Sequence, residues 1–167
     1  MFDIRRYTSD MADGWNQFVA QSKNGTFLFD RRYMDYHQDR FVDHSIVFYL
    51  NNHIYALLPA HLSGHTLYSH QGLTYGGLVM DERCTGGKIC QLFMELNAFL
   101  SHQGIQRIVY KAIPSIYHVI PSEEDLYAIS VCCQAKLVSR DLSSTIVLDH
   151  PIKFPESRKA GLRKAKA

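Results

Sequence analysis

The apolar positions of this chain change period twice. Between residues 9 and 25 they recur at helical spacing (Met11, Trp15, Phe18, Val19), with Ser9 or Asp10 able to cap the start and Asn24-Gly25 closing the end. Phe27-Leu28-Phe29 then leads to Asp30, a cap for a second helix through Tyr33, Met34, Tyr36 and His37 that closes around Arg40-Phe41. Its aromatic density suits packing against a sheet. From Ser45 the period falls to two. Ser45 to Leu50 and His53 to Ala60 predict a tight hairpin, because Asn51 and Asn52 tolerate the positive φ that a two-residue turn requires. A turn at Ser63-Gly64 leads into a third strand over 65–70, Leu73 to Val79 supplies a fourth, and Pro59 marks a bulge or an edge. Residues 45–79 thus read as an antiparallel meander.

At Thr85 the period returns to 3.6. Ile89, Leu92, Phe93, Leu96, Phe99 and Leu100 form one broad stripe that ends at His102-Gln103-Gly104. Ile105 to Ile113 then predicts a buried strand running parallel beside the fourth, since a helix of this length is a crossover connection. Pro114 breaks it, Ser122-Glu123-Glu124-Asp125 opens a short helix with acids at its positive end, and Lys136 to Arg140 and Thr145 to Asp149 predict two last strands. The order predicts an α/β fold of the α+β kind: a mixed, mostly antiparallel sheet with one β-α-β unit.

With 167 residues and 46% hydrophobic content, the chain suits one well-packed domain and is short for two. The formal net charge of +2 hides an asymmetry, because six of the 18 Lys and Arg residues fall in the last fifteen positions beside a single acid, Glu156. Residues 1–152 are the expected globular domain and 153–167 a basic C-terminal helix or tail. That tail reads as a solvated helix, a phosphate or tRNA contact, or an oligomer contact; no aromatics are interleaved to stack on bases. Cys84, Cys90, Cys132 and Cys133 lack ligand spacing, which predicts reduced thiols and no metal. His53, His61, His65 and His70 read as sheet-surface residues. The N-terminus has no apolar signal core and no run reaches membrane-spanning length, so the expected location is the cytoplasm, with no membrane insertion.

Candidate chemistry concentrates in residues 65–88. A strand, a glycine turn and a helix start make an anion site, because the first helical N–H groups lack partners and glycine lets a phosphate approach the backbone. Tyr75, Gly76, Gly77, Leu78, Arg83, Gly86, Gly87 and Lys88 are the cofactor-binding candidates. The same glycines also suit ordinary turns.

The element order resembles the GNAT acyltransferase superfamily, whose splayed fourth and fifth strands hold acyl-coenzyme A. Phe27-Leu28-Phe29, Tyr33-Met34-Asp35-Tyr36-His37, Tyr75-Gly76-Gly77, Pro114-Ser115-Ile116-Tyr117-His118 and Arg140-Asp141-Leu142-Ser143-Ser144-Thr145 resemble FemAB-like GNAT proteins, relatives of the Fem peptidyltransferases. Such proteins carry two GNAT-like domains in tandem, so the resemblance implies that this chain corresponds to the first, with residues 155–166 as the basic helix leading onward. It further implies transfer of an acyl or aminoacyl group to the amine of a small molecule or peptide. The donor would be acetyl-coenzyme A or another acyl-coenzyme A, or alternatively an aminoacyl-tRNA, the one nucleic acid expected. Tyr117 takes the position of a tyrosine general acid, with His118 as a base beside it, while Tyr36, His37 and Arg40 would line the acceptor pocket. For Tyr117 and His118 the alternative is a partly buried aromatic and a solvent-facing imidazole. The alternative for the whole chain is a non-catalytic GNAT-fold domain for binding or assembly, as a homodimer.

Overall fold

The structure is a computed structural model that describes residues 1–37, 39–142, 144, 146–149 and 153–166, with His37 described in its backbone only. Residues 1–136 form one compact unit and residues 137–167 a second. In the first unit, β1 (Asp3–Arg6) is followed by α1 (Ala12–Gln21) and by the short α2 (Arg31–Met34), whose N-terminus is capped by the Asp30 carboxylate accepting from the Arg32 amide. Five strands come next: β2 (Val42–Asp43), β3 (Ile46–Leu50), β4 (His53–Leu58), β5 (His61–Ser63) and β6 (Thr66–Tyr68). The unit continues with β7 (Val79–Met80), α3 (Gly86–His102), β8 (Arg107–Val109) and α4 (Glu124–Cys132). The second unit contains α5 (Glu156–Lys166), in which Glu156 pairs with Lys159 and Arg163.

Among the described residues the strands divide into two sheets, β1-β3-β4-β7 and β2-β5-β6-β8. The expected β3–β4 hairpin is present, with Asn51 and Asn52 at φ +52° and +62°. Alternation along the first sheet buries both of its faces. Ile46, Phe48, Ala56, Leu58 and Met80 pack with Leu92, Phe93 and Leu96 of α3, whereas Val47, Leu57 and Val79 pack with Trp15, Val19 and Phe29 beside α1. A sheet with two apolar faces needs a helix on each, and the two helical periods in the sequence supply them.

Four expectations need correction. The fourth strand is not Leu73 to Val79 but Val79–Met80, because Gly77 turns to φ +96°, outside the strand region. The strand after α3 runs parallel to β6 rather than to the fourth strand, with Leu67 opposite Ile108, so the crossover joins the two sheets. No strand forms among the described residues of 136–149, where no ladder partner is provided; Thr145 and Ser143 lie outside the described residues. Finally, His61 and His70 are buried in a ring cluster with Phe41 and Tyr68, while His53 and His65 are exposed. Among the described residues, no helix is long and apolar enough to cross a membrane and no group of three His, Cys, Asp or Glu is placed to hold a metal ion.

Candidate functional site

The loop from Ser69 to Leu78 is built by close backbone approach. Ser69 donates its amide to the Val109 carbonyl at 2.9 Å, extending the β6–β8 pairing, and its hydroxyl accepts from the Lys111 amide at 2.7 Å. A Cβ on Gly76 would stand 1.8 Å from the Ser69 carbonyl oxygen, and one on Gly77 would stand 2.8 Å from the Lys111 carbonyl oxygen. These glycines admit the chain's own backbone. The fold therefore places Tyr75 with its ring buried edge-on to Phe29, at 5.9 Å between centroids, and its hydroxyl on Thr26 Oγ1 at 3.1 Å. Burial, offset in part by the Thr26 bond, raises the Tyr75 hydroxyl above its ordinary value.

Pro114 fixes φ at −62° and starts a 3-10 turn over Ser115–Tyr117. That turn lays the Tyr117 ring on Tyr75, with centroids 4.9 Å apart and planes inclined by 25°, and leaves Tyr117 49% exposed. His118 Nε2 donates to the Ile113 carbonyl at 3.2 Å, so in the neutral ring Nδ1 keeps a free lone pair; Nδ1 is buried and has no hydrogen-bond partner. Of the sequence candidates, Tyr75 and Tyr117 thus meet directly, with Gly76, Gly77 and Leu78 following Tyr75 and His118 following Tyr117 in the chain.

Beneath them lies a buried set that the sequence reading missed. The Tyr110 hydroxyl accepts from the Leu78 amide at 2.7 Å and donates to the Asp125 carboxylate in a very short bond. Burial pushes the Asp125 carboxyl up, and burial together with the neighbouring Asp125 pushes Tyr110 well above its ordinary value. Lys23 Nζ bonds Glu124 Oε1 at 2.5 Å and the Cys84 carbonyl at 3.4 Å. Asn24 bonds β7 through both ends of its carboxamide, donating Nδ2 to the Leu78 carbonyl at 2.9 Å and accepting the Met80 amide on Oδ1 at 2.8 Å. Neither Lys23 nor Asn24 stands out in the sequence, where they read as the tail of a helix. A lysine and an asparagine flanked by Trp15, Val19 and Phe27-Leu28-Phe29 are the available signal.

Arg83, Gly86, Gly87 and Lys88 form a separate group at the β7–α3 junction. Arg83 is committed to Asp81 through Nε at 2.8 Å and Nη2 at 2.6 Å, and Lys88 Nζ reaches Gln91 at 3.2 Å. Around Gly86 and Gly87 the space is open. Tyr36 and Arg40 are exposed beyond α2, and Arg40 stands 4.0 Å from Asp39. An open depression of about 430 Å³ lies between α1 and α2, lined by Ala12, Asp13, Asn16, Arg31, Arg32 and Asp35; Tyr36 and Arg40 do not line it.

This arrangement of elements defines the class: a mixed α/β fold of the GNAT N-acetyltransferase type. A ribosomal-protein-alanine N-acetyltransferase from Brucella melitensis biovar Abortus 2308 is similar at a TM-score of 0.52 with 13% identity, over 88% of this chain and 98% of that one. AAC(6')-Iy, in complex with the bisubstrate analog CoA-S-monomethyl-acetylneamine, is similar at a TM-score of 0.51 with 12% identity, over 87% of this chain and 97% of that one. At such identities the likeness establishes the fold. No family model and no curated protein matches the sequence.

Proposed function

We propose that this chain is a FemAB-like GNAT acyltransferase domain that moves an acyl or aminoacyl group to the amine of a small molecule or peptide. The observation that carries this reading is the placing of Tyr117 over Tyr75 with His118 next to it, at the end of the segment that follows β8. In the reaction a C–N bond forms, the donor's C–S or C–O bond breaks, and the amine loses a proton. His118 Nδ1 takes that proton, relayed by water or delivered by the entering amine because the atom is buried, and the Tyr117 hydroxyl returns one to the departing sulfur or oxygen. The donor is an acyl-coenzyme A, by analogy with the coenzyme conjugate of AAC(6')-Iy, or an aminoacyl-tRNA. Gly86 and Gly87 leave open space for donor phosphates, with Lys88 beside them, while the β7 edge offers no free backbone group. Incubating the purified chain with labelled acetyl-coenzyme A or aminoacyl-tRNA and a panel of amines tests the proposal: transfer that falls in Tyr117→Phe and His118→Ala supports it, and absence of transfer from either donor overturns it.

A second reading, a non-catalytic domain that assembles as a homodimer, is favoured by a different observation. Ile116, Val119, Ile120, Tyr127 and Val131 all expose apolar surface between the 3-10 turn and the end of α4. Sedimentation decides it: a dimer mass that Val119→Asp reduces to the monomer supports assembly, and a monomer at all concentrations removes it.

A further inference from the structure

The outer edge of β7 is already paired. Asp81 turns its amide to the Tyr55 carbonyl of β4 at 3.4 Å, while the alternate residues Leu78 and Met80 present their groups to the other side. There the Leu78 amide meets Tyr110, the Leu78 carbonyl and Met80 amide meet the Asn24 carboxamide, and the Met80 carbonyl accepts the Lys23 amide at 3.0 Å. A carboxamide carries the same donor and acceptor as a peptide unit. Asn24 therefore does for β7 what one residue of an added strand would do. Across the segment, the Lys23 carbonyl accepts the Val119 amide at 2.8 Å and the Ile120 amide at 3.2 Å. Residues 23 and 24 bridge β7 and the stretch after the Tyr117 turn.

The bridge is core, not a surface strap. Asn24 is 1% and Lys23 4% exposed. Ser22 Oγ donates to the Val19 carbonyl at 2.7 Å and accepts the Gly25 amide at 3.0 Å, and a Cβ on residue 25 would stand 2.3 Å from that oxygen. Lifting the segment would strand the Lys23 ammonium, the Asn24 carboxamide, the Leu78 carbonyl and both backbone groups of Met80 without partners, and would leave the Glu124 carboxylate with Ser122 alone. Each unmet buried polar group opposes such a movement, and the charges oppose it most.

We infer that residues 22–24 are a permanent internal strand that closes the β7 edge, so that an extended, amide-bearing donor lies outside the space between β7 and residues 110–120. The inference refines where the donor proposed above can sit and draws on that reading only for its probe. In the ¹⁵N-labelled full chain, the Met80 and Leu78 amides and the Asn24 side-chain NH₂ should exchange on the order of a thousandfold more slowly than the exposed Gly64 amide. Exchange of Met80 at the Gly64 rate overturns the closure without any ligand. Acetyl-coenzyme A is then titrated to millimolar concentration. Shifts confined to other residues, with Met80, Leu78 and Asn24 still protected, support both the closure and the coenzyme donor. No shift anywhere, with protection intact, supports the closure and removes acetyl-coenzyme A from the proposed function. Shifts and accelerated exchange at Met80 and Asn24, or cross-relaxation between the coenzyme and β7, overturn the inference.

Discussion

Tyr117 covers one face of Tyr75 in a stack with 4.9 Å between ring centroids, although 42 positions separate them in the chain. The stack joins the glycine loop to the 3-10 turn. Tyr117→Phe keeps the ring and removes the hydroxyl, so thermal stability should hold while acyl or aminoacyl transfer falls about 10²-fold or more. Tyr117→Ala also loses the stacking, about 0.5–1.5 kcal/mol, which urea titration reads directly.

The glycines should separate into two kinds. Gly76→Ala forces a methyl against the Ser69 carbonyl, a backbone atom that cannot swing aside, and should destabilise the chain by about 1–3 kcal/mol. Gly86→Ala and Gly87→Ala meet nothing within 4 Å in the first turn of α3 and should be neutral or stabilising by up to about 1 kcal/mol each. If donor phosphates stand there, the same two variants weaken donor affinity while the melting temperature rises.

Acid should loosen the Lys23–Glu124 and Arg31–Asp43 links in a defined window. Burial alone would raise both carboxyls, but Lys23 with Ser122 holds Glu124 below its ordinary 4.5, and Arg31 with Ser45 holds Asp43 below 3.8. Unfolding restores the ordinary values, so this stability is complete above about pH 4.5 and is lost as the pH falls through the lowered folded-state values. Asp125 acts in the opposite sense, since burial raises its carboxyl and protonation relieves it. Melting temperatures between pH 7 and pH 3 should fall on acidification, and Glu124→Gln should flatten that slope. Lys23→Ala, which removes the cation facing Glu124 and the Lys23 donor to the Cys84 carbonyl, should cost about 3 kcal/mol at neutral pH.

The β3–β4 turn offers a purely local test. Asn51 and Asn52 both sit in the left-handed region, where a branched side chain is strained. Asn52→Val should cost about 1–2 kcal/mol and Asn52→Gly should stay within about 0.5 kcal/mol of the parent, as measured by thermal unfolding.

What the sequence determined by itself is what depends on near neighbours. The Asn51-Asn52 turn, the Asp30 cap and the Ile89 to Leu100 stripe of α3 all follow from local conformational preference and hydrophobic period, and all three stand in the structure; the strand expected over 105–113 stops at Val109, so Pro114 does not break it but opens the 3-10 turn. Tyr75 and Tyr117 could be named as candidates from the sequence, but their stacking, across 42 positions, is a contact that the fold makes. Only the tertiary structure decided where strand pairing stops. Leu73 to Leu78 has a strand's composition, but its glycines lie against the Ser69 and Lys111 carbonyls, and β8 finds its ladder on β6. The polar residues Lys23, Asn24, Tyr110 and Asp125 gained their roles the same way. Hydrogen-bond satisfaction in a core is a property of partners distant in sequence, so no local pattern could announce that an asparagine after a helix would complete the edge of a strand more than fifty residues later.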